Sequence, residues 1–488
     1  MARARFAPSP TGPIHMGNIR TALFNYLFVK SGAGKNTMVL RIEDTDLQRS
    51  SVENERLIYE ELGWMGIEWD EGPDKGGKYN PYRQSERLDI YNEYYERLID
   101  EGKAYYCFCT PGELERDKKK TACEASSPRY SGRCRRLTGE QVREHLEEGK
   151  PATIRFKIEP GSTIVFDDVV KGRIEMDSDT LGGDMVIRKS DGTPTYNFSA
   201  VIDDHLMDIT HVIRGEDHLT NTPKQILLYD AFGWDKPIFA HAPLILGPDR
   251  TKLSKRHGNT YIGQYREDGY LPEAMFNYLA LLSWSPEGDR ELLTRDEIIS
   301  RFRLDRVTRA NPVFDIDKLN WINAHYIREA DPGRIAELAV PHLIRDGLIT
   351  PQQAKEQEDW IKTMVEIVQD RLVKVADITA MAKIFFDDLP TFENQDALQF
   401  LKGEQVPGLL ELFKSKIQAA GRIDGEFCSG IFKVLQRETG IKGKNLFMPI
   451  RAAVTGQCHG PDLNKTLLLL GRDKLIGRLQ HVLDNYVG

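Results

Sequence analysis

A chain of 488 residues exceeds what one hydrophobic core fills and implies two to four domains; 40% hydrophobic and 29% charged residues, with no run apolar enough to span a bilayer, are expected of a soluble globular protein. A formal net charge of −8 argues against a general polyanion binder, so a nucleic acid would have to meet a local basic face. Six cysteines in this length make no disulfide scaffold, and the N-terminus carries prolines where a signal peptide has an apolar run, so the cytosol is the expected compartment.

Ala4 to Ala7 is short and partly apolar and reads as a buried strand. Pro8, Pro10, Gly12 and Pro13 then exclude a helix and force an extended loop. His15 and Gly17 follow, and after them Ile19, Ala22, Leu23, Tyr26 and Leu27 recur at helical spacing. The order strand, loop, His-x-Gly, helix start exposes amide groups that attract an anion, phosphate above all. Gly17 lets a ligand approach the backbone closely, with His15 as a donor beside it. Met38 to Ile42 reads as a second buried strand, running into Glu43-Asp44-Thr45-Asp46. That acidic cluster suits a ligand at a strand's carboxyl end, or an N-cap for the helix carrying Leu57, Ile58 and Leu62, or both. Leu88, Tyr91, Tyr95 and Leu98 form one face of the next helix.

From Tyr105 to about Lys189 the pattern turns to strands, at Thr153–Ile158 and Thr163–Phe166, as in an inserted β-rich module. It holds Cys107, Cys109, Cys123 and Cys134, readable as zinc ligands or as reduced buried thiols. Lys118 to Lys120 with Arg129, Arg133, Arg135 and Arg136 make it locally basic, for RNA or merely for solvent. Thr195–Ile202, Ile209–Arg214 and a helix at Thr222–Phe232 restore the α/β pattern, and Pro243–Leu246 reads as a further strand. Lys252-Leu-Ser-Lys-Arg256 then places three cations and a hydroxyl in five residues of loop, with Gly247 and Gly258 as hinges. Beyond about Pro272 the spacing is helical, with Trp360, Met364, Val365 and Val368 in one stripe and Leu467, Leu470, Leu475 and Leu479 in another. Breaks near Ala330–Gly333 and Gly403–Gly408 mark boundaries.

His15-x-Gly17 and Lys252–Arg256 together resemble the two signatures of class I aminoacyl-tRNA synthetases. The ordered set Phe6–Gly12, Arg41–Asp46, Tyr82–Arg87, Pro194–Asn197, Val201–His205, Ile213–His218 and Lys252–Arg256 is similar to that of the bacterial-type glutamyl-tRNA synthetases, and the helical remainder suits them too. The resemblance implies an α/β fold: a Rossmann-type parallel-sheet catalytic domain in two halves, 1–100 and 191–243, around an inserted α+β acceptor-stem module at 101–190. A signature-loop and stem-contact domain at 244–329 and an all-α anticodon-binding region, 330–402 and 403–488, would follow.

By the same resemblance the chain is a ligase. It would attach L-glutamate to tRNA-Glu through a glutamyl-adenylate, using ATP and Mg²⁺ and releasing AMP and pyrophosphate, as a monomer with no membrane partner. His15, Gly17, Lys252 and Lys255 would be catalytic, and Ser254 would join them in holding ATP. Arg5, Ala7, Ser9, Glu43, Tyr196 and Arg214 would surround glutamate. Glu43 would face its ammonium and the two arginines its carboxylates, because a guanidinium fork matches a carboxylate. Ala200 stands where relatives often carry a polar residue. Some relatives bind zinc through a Cys-x-Cys and a later Tyr-x-x-x-Cys, which Cys107, Cys109, Tyr130 and Cys134 match; Arg136 replaces the His of another version, and Cys123 is an extra candidate. Arg371 is the arginine expected at an anticodon base. Relatives usually need bound tRNA before they activate the amino acid. A glutaminyl enzyme would carry β-barrel modules after residue 330, and a truncated paralogue that modifies a tRNA base would lack the helical third. A non-catalytic tRNA-binding paralogue would have lost His15, Gly17, Lys252 and Lys255, all present here. Whether tRNA-Gln is also charged is not written in the sequence.

Overall fold

The computed structural model describes residues 1–46, 48–124, 129–392 and 395–487. The side chains of Lys118, Lys120 and Cys123, named above for RNA and zinc, lie outside the described residues. The chain forms two compact units, Met1–Arg266 with Pro272–Ile316, and Glu267–Leu271 with Asp317–Gly488. The main break thus falls at residue 316, earlier than the one expected at 330.

In the first unit, strand β1 (Arg3–Phe6) leads through the proline loop into helix α1 (Met16–Ser31). The helix buries Met16, Ile19, Leu23, Phe24 and Leu27, so it is core on nearly every side. Strand β2 (Thr37–Leu40) pairs parallel with β1, Phe6 opposite Leu40. Helix α2 (Val52–Trp64) is capped by Ser51, whose hydroxyl accepts from Asn54 N at 3.1 Å, and not by the acidic cluster. Asp44 of that cluster accepts instead from Ser85 N (2.8 Å) and Ser85 Oγ (2.6 Å). Helix α3 (Leu88–Asp100) buries Tyr91, Tyr95 and Leu98, as its spacing predicts.

Strands β3 (Ala104–Cys107), β4 (Thr153–Phe156), β5 (Thr163–Asp168), β6 (Gly172–Asp177) and β7 (Met185–Arg188) come next. Only β3, β4 and β7 form a separate antiparallel sheet. The β5–β6 hairpin, placed by sequence in the 101–190 module, joins the main sheet instead, because β5 pairs parallel with β9 and buries Ile164, Phe166 and Asp168 on its inward face. Helix α4 (Tyr196–Leu206), β8 (His211–Gly215), helix α5 (Thr222–Phe232) and β9 (Ile238–Ala242) complete the core. The last strand lies before the expected Pro243–Leu246, since Pro243 has no N–H to extend the ladder. The six-stranded order is β2-β1-β8-β9-β5-β6, parallel except for β6. Such a Rossmann-type sheet opens its ligand crevice beyond the carboxyl ends of its strands.

The second unit is helical throughout its longer elements, among them Glu358–Val368, Val406–Ala419, Gly425–Thr439, Lys444–Thr455 and Leu463–Asn485. Met364, Val365 and Val368 are buried, as are Leu467, Leu470, Leu475 and Leu479, so both stripes face the core. Gly471 breaks the last helix with φ 73° and ψ 172°, a conformation that a side chain strongly disfavours.

Candidate active site

The carboxyl ends of β1, β8 and β9 open onto a cavity of about 610 Å³ in the first unit. It is lined by Arg5, Ala7, Ser9, His15, Gly17, Glu43, Tyr196, Arg214 and Lys252, which the sequence brought forward, and also by Arg20, Asp217 and His218. Ala200 is buried in α4 away from this wall.

His15 is the N-cap of α1, and its Nδ1 accepts from Gly17 N at 3.3 Å. A neutral ring so held carries its proton on Nε2, as a donor. Burial, and then Lys252, lower the pKa of His15, which keeps it neutral. A Cβ built on Gly17 would meet only His15 Nδ1, at 3.8 Å, so internal packing does not demand glycine there; open space for a ligand is what remains. Arg20 sits one turn into the helix, buried, donating to Leu282 O (3.3 Å), Ser283 Oγ (3.1 Å) and Pro243 O. Among the described residues no carboxylate lies within 4.0 Å of it, and burial lowers its pKa to about 10.

A buried charge network backs the opposite wall. Arg5 donates to both oxygens of Asp204 (3.0 and 3.2 Å), and Arg41 donates to Asp204 (2.7 Å) and Glu43 (3.2 Å). Asp203 accepts from Arg87 (2.7 Å), Gln84 (2.8 Å) and Tyr91 (2.8 Å). Burial opposes ionisation of Asp204, but Arg5 and Arg41 outweigh it and hold the carboxyl below its usual range. At Glu43 burial prevails over Arg41 and Arg5 and raises the pKa. Arg41, Asp203 and Asp204 stand inside the quoted motifs, yet motif position alone did not reveal that Asp204 holds Arg5, that Arg41 holds Glu43, or that Asp203 lies 3.8 Å from Arg41 behind them.

Arg214 is held differently. Its Nε donates to His241 Nε2 (3.1 Å), Nη1 to Tyr196 Oη (3.1 Å), and Nη2 to Thr222 Oγ1 and Gln225 Oε1 (both 2.8 Å). None of these acceptors is a carboxylate, and among the described residues none lies in ion-pair range of Arg214. His218, which burial holds down to about 4, leans on Tyr196 at 5.2 Å between ring centroids.

The signature loop is only partly at the cavity. Lys252 lies on the rim, 3.2 Å from Asp217. Ser254 and Lys255 are not on the wall: Ser254 N donates to His257 Nδ1 (3.1 Å), and Lys255 Nζ lies 5.3 Å above the Tyr261 ring. Gly247 is required by the His257 ring, which a Cβ would meet at 2.8 Å, while Gly258 has φ 109°.

Apart from the cavity, Cys107, Cys109 and Cys134 bring their sulfurs within 4.8 Å of one another. Tyr130 Oη lies 3.4 Å from Cys107 Sγ and 3.7 Å from Cys109 Sγ, and Cys109 and Cys134 are 3.5 Å apart. Sulfurs on one tetrahedral zinc, at about 2.3 Å each, lie about 3.8 Å apart, so this donor set fits the ion. The hydrogen bond between Cys134 and Cys107 draws the Cys107 thiol down and holds the Cys134 thiol up, so Cys107 is the one of the two drawn toward the thiolate that binds metal.

Two family models match the chain: tRNA synthetases class I (E and Q), catalytic domain, over residues 1–321, and Anticodon binding domain over residues 334–483. Fold, cavity and matches together are those of a class I tRNA synthetase. Glutamate–tRNA ligase 2 of Caldanaerobacter subterraneus subsp. tengcongensis is 56% identical over 99% of each chain, and glutamate–tRNA ligase 1 of a Thermoanaerobacter species is 57% identical over 99% of each. A solved structure of a glutamate tRNA ligase from Elizabethkingia meningosepticum in complex with its amino acid superimposes with a TM-score of 0.88, at 35% identity over 99% of each chain. The chain belongs to the glutamate–tRNA ligase family.

Proposed function

We propose that the cavity of the first unit is where this chain attaches glutamate to tRNA, with Arg214 as the receptor of the side-chain carboxylate. The observation that carries this reading is a buried guanidinium held by four neutral groups. A guanidinium has five N–H donors, so one on Nη1 remains for a ligand. Tyr196 accepts from Arg214 and so keeps its own O–H to give. One substrate carboxylate oxygen pair accepts both. Arg5, engaged on Asp204 through Nε and Nη2, has Nη1 to offer, and Glu43 takes the ammonium. Ser9 and Ala7 close the strand side of the pocket.

The substrate's α-carboxylate oxygen then attacks the α-phosphorus of ATP; the new P–O bond forms as the bond to pyrophosphate breaks. A ribose hydroxyl at the tRNA 3′ end next attacks the acyl carbon and AMP leaves. His15 Nε2–H, the amide groups around Gly17, and Lys252 neutralise phosphate charge as it develops. Ser254 and Lys255 join from the loop, and Lys252 exchanges Asp217 for phosphate. Mg²⁺ arrives with ATP, held mainly by phosphates and water.

Cys107, Cys109, Cys134 and Tyr130 would hold one structural zinc that ties the β3 end to the Arg133–Arg136 turn. The tRNA is tRNA-Glu. Arg371, exposed at the end of the Gln369–Arg371 turn, meets its anticodon; its charge contributes to lowering the pKa of Arg451, so the two cations are near one another. The protein would act as a cytosolic monomer, its catalytic sheet taking in the β5–β6 hairpin and its helical anticodon-binding region following residue 316.

Substituting Arg214→Gln tests it. Losing a charge-assisted pair costs about 1.5–3 kcal/mol, roughly 10- to 150-fold in KM for glutamate, with KM for ATP unchanged. An unaltered glutamate KM in folded protein would end the proposal.

A further inference from the structure

Arg214 and His241 are register partners on adjacent parallel strands β8 and β9, and Asp168 ends β5, the next strand across. All three side chains are buried. Asp168 Oδ2 lies 2.6 Å from His241 Nδ1, and His241 Nε2 accepts from Arg214 Nε–H. Thr222 Oγ1 lies 3.1 Å from the same Nε2. Asp168 divides its two oxygens: Oδ1 accepts from Val170 N (3.0 Å), Lys171 N (2.8 Å) and His241 N (3.2 Å), which leaves Oδ2 to the imidazole.

We propose that Asp168 and His241 are positioning residues for glutamate recognition: Asp168 selects the Nδ1–H tautomer of His241, so that Nε2 stays an acceptor and fixes the plane of Arg214. The inference rests on Arg214 being the receptor of the substrate carboxylate. A neutral imidazole has one donor and one acceptor nitrogen, and which is which follows from the partner of either one. An N–H on Nε2 would oppose the Arg214 N–H and turn the guanidinium away from the carboxylate. Burial of His241, opposed by Asp168, lowers its pKa and keeps the ring neutral, so the acceptor persists at neutral pH. The cations Arg214 and Arg5 act in the same direction. A carboxylate bonded to Arg214 directly would take up its N–H donors and part of its charge; one placed an imidazole away orients the arginine through Nε and leaves an Nη1 donor to pair with the substrate.

Asp168→Asn separates the two tasks of the residue. Its Oδ1 still accepts from the three backbone amides, while its NH₂ faces His241 Nδ1 and reverses the tautomer, an exchange known to disable such pairs. The expected result is a rise in KM for glutamate of about tenfold or more, the size of one charge-assisted hydrogen bond, with KM for ATP and kcat within about threefold. In an Arg214→Gln background, Asp168→Asn should add nothing. A glutamate KM unchanged by Asp168→Asn in folded protein, while Arg214→Gln raises it, overturns the relay and leaves the carboxylate receptor standing. Arg214→Gln without effect removes the receptor instead. Neutron diffraction on the unaltered protein gives the answer without any variant: a deuteron on His241 Nδ1 and none on Nε2 supports the relay, and a deuteron on Nε2 refutes it.

Discussion

Glu43 is a carboxylate whose burial outweighs the pull of two arginines, so its pKa sits above the ordinary value. In the proposed role it must be ionised to hold the ammonium of glutamate. As pH falls through the raised pKa, Glu43 takes up a proton and the pair is lost, so KM for glutamate should climb on the acid side. Glu43→Gln should raise KM at neutral pH and flatten that acid limb, so that variant and unaltered protein converge as pH falls; a pH profile of kcat/KM for glutamate at saturating ATP and tRNA is the check. The residue types of this pocket were legible in the sequence, since Arg5, Glu43, Tyr196 and Arg214 all line it. Their partners were not: nothing in the local pattern at Asp204 announces that it faces Arg5, because the two are 199 positions apart.

Gly440 and Gly456 both cap helices of the second unit in the left-handed region, with φ 72° and 73°. A Cβ on Gly440 meets nothing within 4 Å, whereas one on Gly456 would come within 2.2 Å of the Thr391 carbonyl oxygen. Gly440→Ala should therefore cost only about 1–2 kcal/mol, the left-handed penalty of an L-residue. Gly456→Ala must also displace main chain and should cost more, which paired urea unfolding curves will rank. At the cysteines, protein purified without chelator should carry about one zinc per chain by metal analysis. Cys134→Ser should lower that content, and a value near zero in the unaltered protein retires the site. Periodicity predicted the helix faces well, as at Tyr91, Tyr95 and Leu98. It misplaced the β5–β6 hairpin, because a strand's own residues do not say which sheet it will join.

For the molecule as a whole, the two units carry separate tasks, one the chemistry and one the anticodon. Arg371→Ala should raise KM for tRNA-Glu about fivefold or more and leave KM for glutamate and ATP untouched, since losing an arginine contact to a base costs about 1–3 kcal/mol. Aminoacylation kinetics with purified tRNA-Glu measure it, and equal rates for variant and unaltered protein would discard Arg371. Repeating the assay on tRNA-Gln shows whether that unit admits a second tRNA.

By itself the sequence determined whatever depends on neighbours along the chain. Prolines at 8, 10 and 13 forbid a helix, His15 and Gly17 stand where α1 begins, and the helical stripes of the last third follow from spacing. The ordered motifs carried the family as well. Only the tertiary structure decided which distant groups meet. Strand order sets Asp168, His241 and Arg214 side by side across β5, β9 and β8, leaving the arginine no carboxylate of its own among the described residues. The physical reason is range: backbone preferences act over a few residues, whereas buried charges are paired by the packing of the whole sheet.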